Sequence, residues 1–143
     1  MATGEVRQKP IELILARNFL ASLSTPSFLV DHHGQLVYFN DAAGALLGKR
    51  FEETGAMSAR EWGARWGPFG EDGAPLPYEE LPLTTALKQG HPAAGRFTVR
   101  DSSGRQHQIL SSALPVVGAD AFRGAIVFFW PLDSSRDLIG ASP

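Results

Sequence analysis

The stretch SFLVDHHGQLVYFNDAAGALLG, Ser27 to Gly48, constrains the fold more than any other part of the chain. Phe28-Leu29-Val30 and Leu36-Val37-Tyr38-Phe39 are short runs of apolar, β-branched and aromatic residues, a composition that suits a pleated, half-buried surface. The polar DHHGQ between them reads as a turn, with Gly34 available for a positive φ. The two runs therefore form a hairpin. Asn40 follows the second run directly, and its side chain is suited to accept a backbone N–H from the first turn of DAAGALL. Gly48 stands where a helix ends in a left-handed residue. The unit is strand, turn, strand and short capped helix.

The rest of the chain supplies partners for that unit. Residues 10–23, PIELILARNFLASL, have helical spacing, with Pro10 at a first-turn position. Ile11, Ile14, Leu15 and Phe19 share one face, and Leu13 and Leu20 lie toward another side. That is more apolar circumference than one contact surface needs. Ser24-Thr25-Pro26 ends the helix. Residues 49–77 are less regular, although Trp62 and Trp66 are spaced to share one helix face. YEELPLTTALKQG, residues 78–90, reads as one helix with Pro82 tolerated in its first turn. Strands are expected at 96–100, 106–114 and 124–130. The last of these, GAIVFFW, is apolar at both alternations, so both of its sides must be covered.

The chain of 143 residues suits one domain, and its 43% hydrophobic content is enough for a core. A net charge of −2 gives no electrostatic footprint for nucleic acid. The absence of cysteine excludes disulfides, thiolate metal sites and cysteine nucleophiles. Glu5, Arg7 and Lys9 precede the first apolar run, unlike a signal peptide. The longest apolar run, Ala125 to Trp130, is too short to span a bilayer. A cytoplasmic protein with no membrane partner is the expectation.

The order of these segments resembles the PAS sensor-domain superfamily of bacterial signalling proteins. The resemblance is carried by FLVDHHGQLVYFNDAAGALLG, EDGAPLPYEELPLTTALKQG, RFTVRDSSGRQHQILSSALPV and GAIVFFW, in the family's order. It implies an α+β, profilin-like fold: a five-stranded antiparallel sheet with flanking helices and an N-terminal helix. It divides the chain into an N-terminal helix at 1–25, a PAS domain at 26–132 and a flexible tail at 133–143. The sequence departs from the family where the last strand should lead into a coiled-coil helix. PLDSSRDLIGASP has Pro131 there and no heptads, so the chain is expected to be either a stand-alone PAS protein or an excised domain.

Catalytic and cofactor chemistry find little support. His32 and His33 are adjacent in the hairpin turn; in an extended chain they point apart, and no third ligand is near. Asp31 is expected to satisfy backbone groups of the turn. Family members that hold haem do so through a histidine on the helix before the third strand; here that helix has none, and His91 lies just past its end. Family members with a cysteinyl-flavin adduct need a cysteine, which this chain lacks. The cofactor is unknown, with haem and cysteinyl flavin disfavoured. Ser111, Ser112, His107 and Asp31 supply the residue types of a hydrolase without its arrangement, so no enzyme is expected.

The family's inward alternation places Phe28, Val30, Phe97, Val99, Ile109, Ser111, Ala113, Ile126 and Phe128 on the concave sheet face. Leu83 and Leu87 would face them from the helix, and Leu47 from the short helix. Ser111 and Ala113 are small and leave room for an apolar or weakly polar ligand. The alternative is that Trp62, Trp66 or Phe69 folds in and fills the space. On the outer face, Val127 and Phe129 would be covered by the N-terminal helix. That helix would also pair with a second copy through Ile11, Leu13, Ile14, Leu15, Phe19 and Leu20. The expected function is a homodimeric PAS sensory or interaction module. The alternative is a ligand-free PAS dimer acting as a scaffold for a separate signalling protein.

Overall fold

A computed structural model of the chain describes residues 11–118 and 122–132. Pro10 and the tail at 133–143 lie outside the described residues. Helix α1 spans Ile11–Ala21, and the hairpin strands are β1 (Ser27–Asp31) and β2 (Leu36–Phe39). Three short helices follow: α2 (Asp41–Leu47), α3 (Phe51–Thr54) and α4 (Ala59–Trp66). A 3-10 turn at Tyr78–Glu80 precedes α5 (Pro82–Gln89), and the chain closes with β3 (Ala93–Arg100), β4 (Gln106–Val117) and β5 (Phe122–Pro131). Residues 78–90 are thus two elements, not the single expected helix. Pro82 pushes Leu81 into extended backbone (φ −79°, ψ 147°) and takes the first helical position itself.

The five strands form one antiparallel sheet in the order β2-β1-β5-β4-β3. The hairpin and the closing meander meet where β1 pairs with β5. Both outer strands carry a backbone bridge, Leu36 to Met57 on β2 and Phe69 to Thr98 on β3, which blunts edges that would otherwise offer free pairing groups.

Apolar side chains sit on both faces of the sheet. One cluster lies between the sheet and helices α2 to α5 and includes Phe28, Val30, Phe39, Leu47, Trp66, Ile109 and Val127. The second lies on the opposite face, where Leu13, Ala16 and Leu20 of α1 pack on Leu29 and Tyr38, with Ile126 and Phe128 alongside. Asn40 joins the pieces. Its Oδ1 accepts from the Ala43 N–H (3.0 Å), as the expected cap, and also from the Ser27 N–H (3.1 Å). Its Nδ2 donates to the carbonyls of Leu20 (3.0 Å), Leu23 (3.3 Å) and Thr25 (2.9 Å). One buried amide therefore holds the end of α1, the start of β1 and the start of α2 together.

Two expectations about faces are corrected. Val127 and Phe129 do not lie under α1; they pack in the interior cluster. Ile126 and Phe128 do not face the interior; they pack beside α1. The cause is register. Ser111 pairs with Phe129 and Ala113 with Val127 across β4 and β5, and directly paired residues point to the same face.

Candidate functional site

The interior cluster leaves a cavity of about 70 Å³ between the sheet and the helices. Phe28 and Val30 of β1, Phe97 and Val99 of β3, and Ser111 of β4 line its sheet side. Leu47 of α2, Trp62 and Trp66 of α4 and Leu83 of α5 line the rest. These nine residues border the cavity. Ile109 and Ala113 also point inward and are fully buried, but pack in the core without bordering the cavity. Leu87 packs at the edge of the same cluster. Sequence reasoning missed Leu36, Leu81, Val127 and Phe129, which with Gly67, Pro68 and Pro82 complete the wall. The hairpin register held a signal for the first, because Leu36 lies opposite Val30.

Local chemistry explains why the two tryptophans reach the cavity. Ser58 caps α4 by accepting from the Glu61 N–H (3.2 Å), and Glu61 returns the favour to the Ser58 N–H (2.8 Å), a capping box. The helix then runs just far enough to carry Trp62 and Trp66 on one side. Trp62 is half-buried, and its Nε1 donates to the Gly34 carbonyl (3.1 Å) at the hairpin turn. Tyr78 closes over the same turn: a side chain at Gly34 would collide with its hydroxyl, and burial pushes its phenol above the ordinary value. Trp66 is 5% exposed and meets Phe39 edge to face at 5.8 Å. Its Nε1 is buried without a hydrogen-bond partner, the one such side-chain N or O among the described residues. Phe69 instead lies beneath the Arg100 guanidinium (4.5 Å).

The histidines are spread over separate places. His32 and His33 are exposed in the turn, with ring centroids 3.9 Å apart, so they stand side by side rather than pointing apart as an extended chain would have them. Asp31 Oδ1 accepts from the N–H groups of His33 (2.9 Å) and Gln35 (3.0 Å), the turn role expected of it. His91 is exposed and meets Gln89 Oε1 (2.9 Å). Among the described residues no three His, Cys, Asp or Glu side chains gather as a metal site.

His107 pairs with Asp101, with Nε2 2.9 Å from Asp101 Oδ2. This bond, and then that from Ser103, hold the Asp101 carboxyl far below its ordinary value of 3.8. The turn they stiffen ties to the cavity wall, since the Ser102 N–H donates to the Leu47 carbonyl (2.8 Å). A depressed carboxyl stabilises the fold above its unfolded pKa and loses that contribution as pH falls toward the folded value. The difference in urea midpoint between wild type and Asp101→Asn should therefore be full at neutral pH and shrink steadily below 3.8.

No protein-family model matches the sequence, and no curated protein matches it. Solved structures do match in fold. A PAS domain from Colwellia psychrerythraea superposes with a TM-score of 0.61 at 15% identity, over 83% of this chain and 95% of that one. The Rhodobacter sphaeroides LOV protein gives 0.70 at 16%, over 93% and 74%. The PAS domain of nitrogen regulation protein NR(II) from Vibrio parahaemolyticus gives 0.56 at 16%, over 82% and 97%. This chain has the PAS fold. Its five-stranded antiparallel sheet with flanking helices and an N-terminal helix is the fold the sequence resembles. Among the described residues of this PAS fold, no helix is long and apolar enough to cross a membrane.

Proposed function

We propose that the protein is a non-enzymatic PAS module of bacterial signal transduction that pairs with a second copy through α1 and passes its state to a separate signalling protein. The observation that carries this reading is the uncovered side of α1. Ile11 is 59% exposed, Ile14 42%, Leu15 60% and Phe19 54%. Leu13, Ala16 and Leu20 are already buried against the chain's own sheet, and the outward stripe stays exposed. Trp130 and Leu114 on the same sheet face are exposed too, and Trp130 stacks beside Phe128 (6.1 Å), which packs next to α1. Contiguous apolar surface of this kind marks an interaction site, and a two-fold pairing covers it with one self-complementary patch. The proposed setting is the cytoplasm, with no nucleic-acid partner.

The faces of α1 decide which substitutions test this. Glutamates at Leu13 and Leu20 would undock the helix from its own sheet. Glutamates at Leu15 and Phe19 leave that docking intact. The Leu15→Glu, Phe19→Glu variant is expected to sediment as a folded monomer where the wild type sediments as a dimer. A wild type that stays monomeric at tens of micromolar would leave α1 as a cover for its own sheet.

The cavity favours a second, narrower reading of what the module senses. Its volume of about 70 Å³ is well below the roughly 300 Å³ at which small-molecule pockets begin. Trp66 and Ser111 both border the cavity. The interior therefore supports either a ligand-free scaffold or a sensor for a molecule of very few atoms.

A further inference from the structure

We infer that the cavity is a site for a small, wholly apolar molecule, a hydrocarbon of about two to four carbon atoms, held by dispersion contacts with an aromatic wall. This rests on reading the cavity as a ligand site and names the class of ligand. Size sets one bound. About 70 Å³ is about half of the roughly 150 Å³ that admits benzene in an engineered cavity, so the space suits a short carbon chain rather than an aromatic ring. The wall sets the other bound. No charged side chain borders the cavity among the described residues, so an ionised ligand would be buried without a counter-charge.

The polar atoms of the lining side chains offer a ligand almost nothing. The Trp62 Nε1 donates to the Gly34 carbonyl (3.1 Å), and the Trp66 Nε1 is fully enclosed by protein. Ser111 brings a hydroxyl but is itself only 1% exposed. The remaining lining is carbon, much of it on the five rings of Phe28, Trp62, Trp66, Phe97 and Phe129. Phe129 ties three of them together, with its centroid 4.5 Å from Phe28 and 5.6 Å from Phe97. Such a lining holds water poorly, because a buried water needs about two to four polar partners. A hydrocarbon gains dispersion contacts there and gives up no hydrogen bond on leaving water. An alcohol, ether or ketone of the same size gives up its hydration without replacement. Trp62, Phe97 and Phe129 are each half-buried, so on their side the wall is one side chain thick and a small molecule has a short way in.

The test compares propane with dimethyl ether, which has nearly the same shape with an oxygen in place of the central methylene. The full chain carries 13C-labelled Leu and Val methyls, and their resonances are followed as each gas is dissolved. Val30, Leu83 and Val127 border the cavity, whereas Leu13 and Leu29 lie in the cluster under α1. The expected result is a saturable shift of the cavity methyls alone, with propane bound about tenfold or more tightly than the ether. Ser111→Ala should keep that preference, and Ser111→Leu, which fills the space, should abolish propane binding; should the leucine variant not fold, the wild-type comparison decides alone. Ether bound as tightly as propane would overturn the apolar selectivity while leaving the cavity as a ligand site. Shifts spread evenly over both clusters, or binding of neither gas nor of xenon by 129Xe shift, would overturn the ligand site itself and leave the ligand-free scaffold.

Discussion

Asn40→Asp is expected to lose about 4 kcal/mol of stability at neutral pH, the range for a buried charge without a partner. The substitution looks small. It keeps an oxygen to accept from the Ala43 and Ser27 N–H groups. It removes the Nδ2 that donates to Leu20, Leu23 and Thr25 and sets a second anionic oxygen against those three carbonyls. Burial and the facing carbonyls raise the folded pKa of the introduced carboxyl. The charge penalty is then complete above that raised value and vanishes below the unfolded value of about 3.9, where both states are protonated and only the cost of the lost amide donors remains. Asn40→Ala should cost less, about 3 kcal/mol, from the lost cap and the buried carbonyls left unpaired, and its cost should not depend on pH. Urea unfolding of the three proteins at pH 7 and below pH 4 reads both claims.

Gly124→Ala is expected to cost about 3 kcal/mol, the upper end for forcing a group into packed surroundings. Gly124 pairs with Asp31 on β1 and Val116 on β4, where the hairpin joins the meander. A Cβ built there would collide with the Val30 carbonyl oxygen and fall 3.1 Å from the Asp31 Cα. Both obstacles are backbone, so relief requires β1 to move away from β5 rather than a rotamer to change. Gly63→Ala is the control: it lies inside α4, a Cβ there meets nothing within 4 Å, and the change should stabilise by about 0.5 kcal/mol.

The parts that were legible in the sequence are those fixed by near neighbours. The hairpin, the Asn40 cap and the Gly48 stop lie within one stretch, and Gly48 takes the expected left-handed backbone (φ 84°). The strands of the meander were legible from alternation, although β3 and β4 run longer than expected. The phase of β5 was not. GAIVFFW is apolar at every position from Ala125 to Trp130, so a period of two carries no information about which side faces in. That choice is made by pairing with β4, 10 to 20 residues away in sequence. Asn40's grip on the end of α1 is equally invisible locally, because its three acceptors come from 15 to 20 residues upstream. α3, Phe51–Thr54, is a single turn too short to show a period. At the cavity, the small residue at Ser111 suggested room, whereas the size of the space depends on how far Trp66 folds in.

The central claim is that α1 presents its outward stripe to a second copy, and the absence of native cysteine allows that claim a direct measurement. Single cysteines are placed at Ile11, Leu15 and Phe19 in turn, with controls at the exposed Glu71 and Arg105. Each protein is oxidised while dilute, and covalent dimers are counted on non-reducing gels. A disulfide forms readily only where the two Cα atoms come within about 7 Å, so residues near a two-fold axis cross-link and remote ones do not. The account predicts rapid, near-complete dimers at one or more of the α1 positions and none at Glu71 or Arg105. Equal, slow cross-linking at all five positions would contradict it.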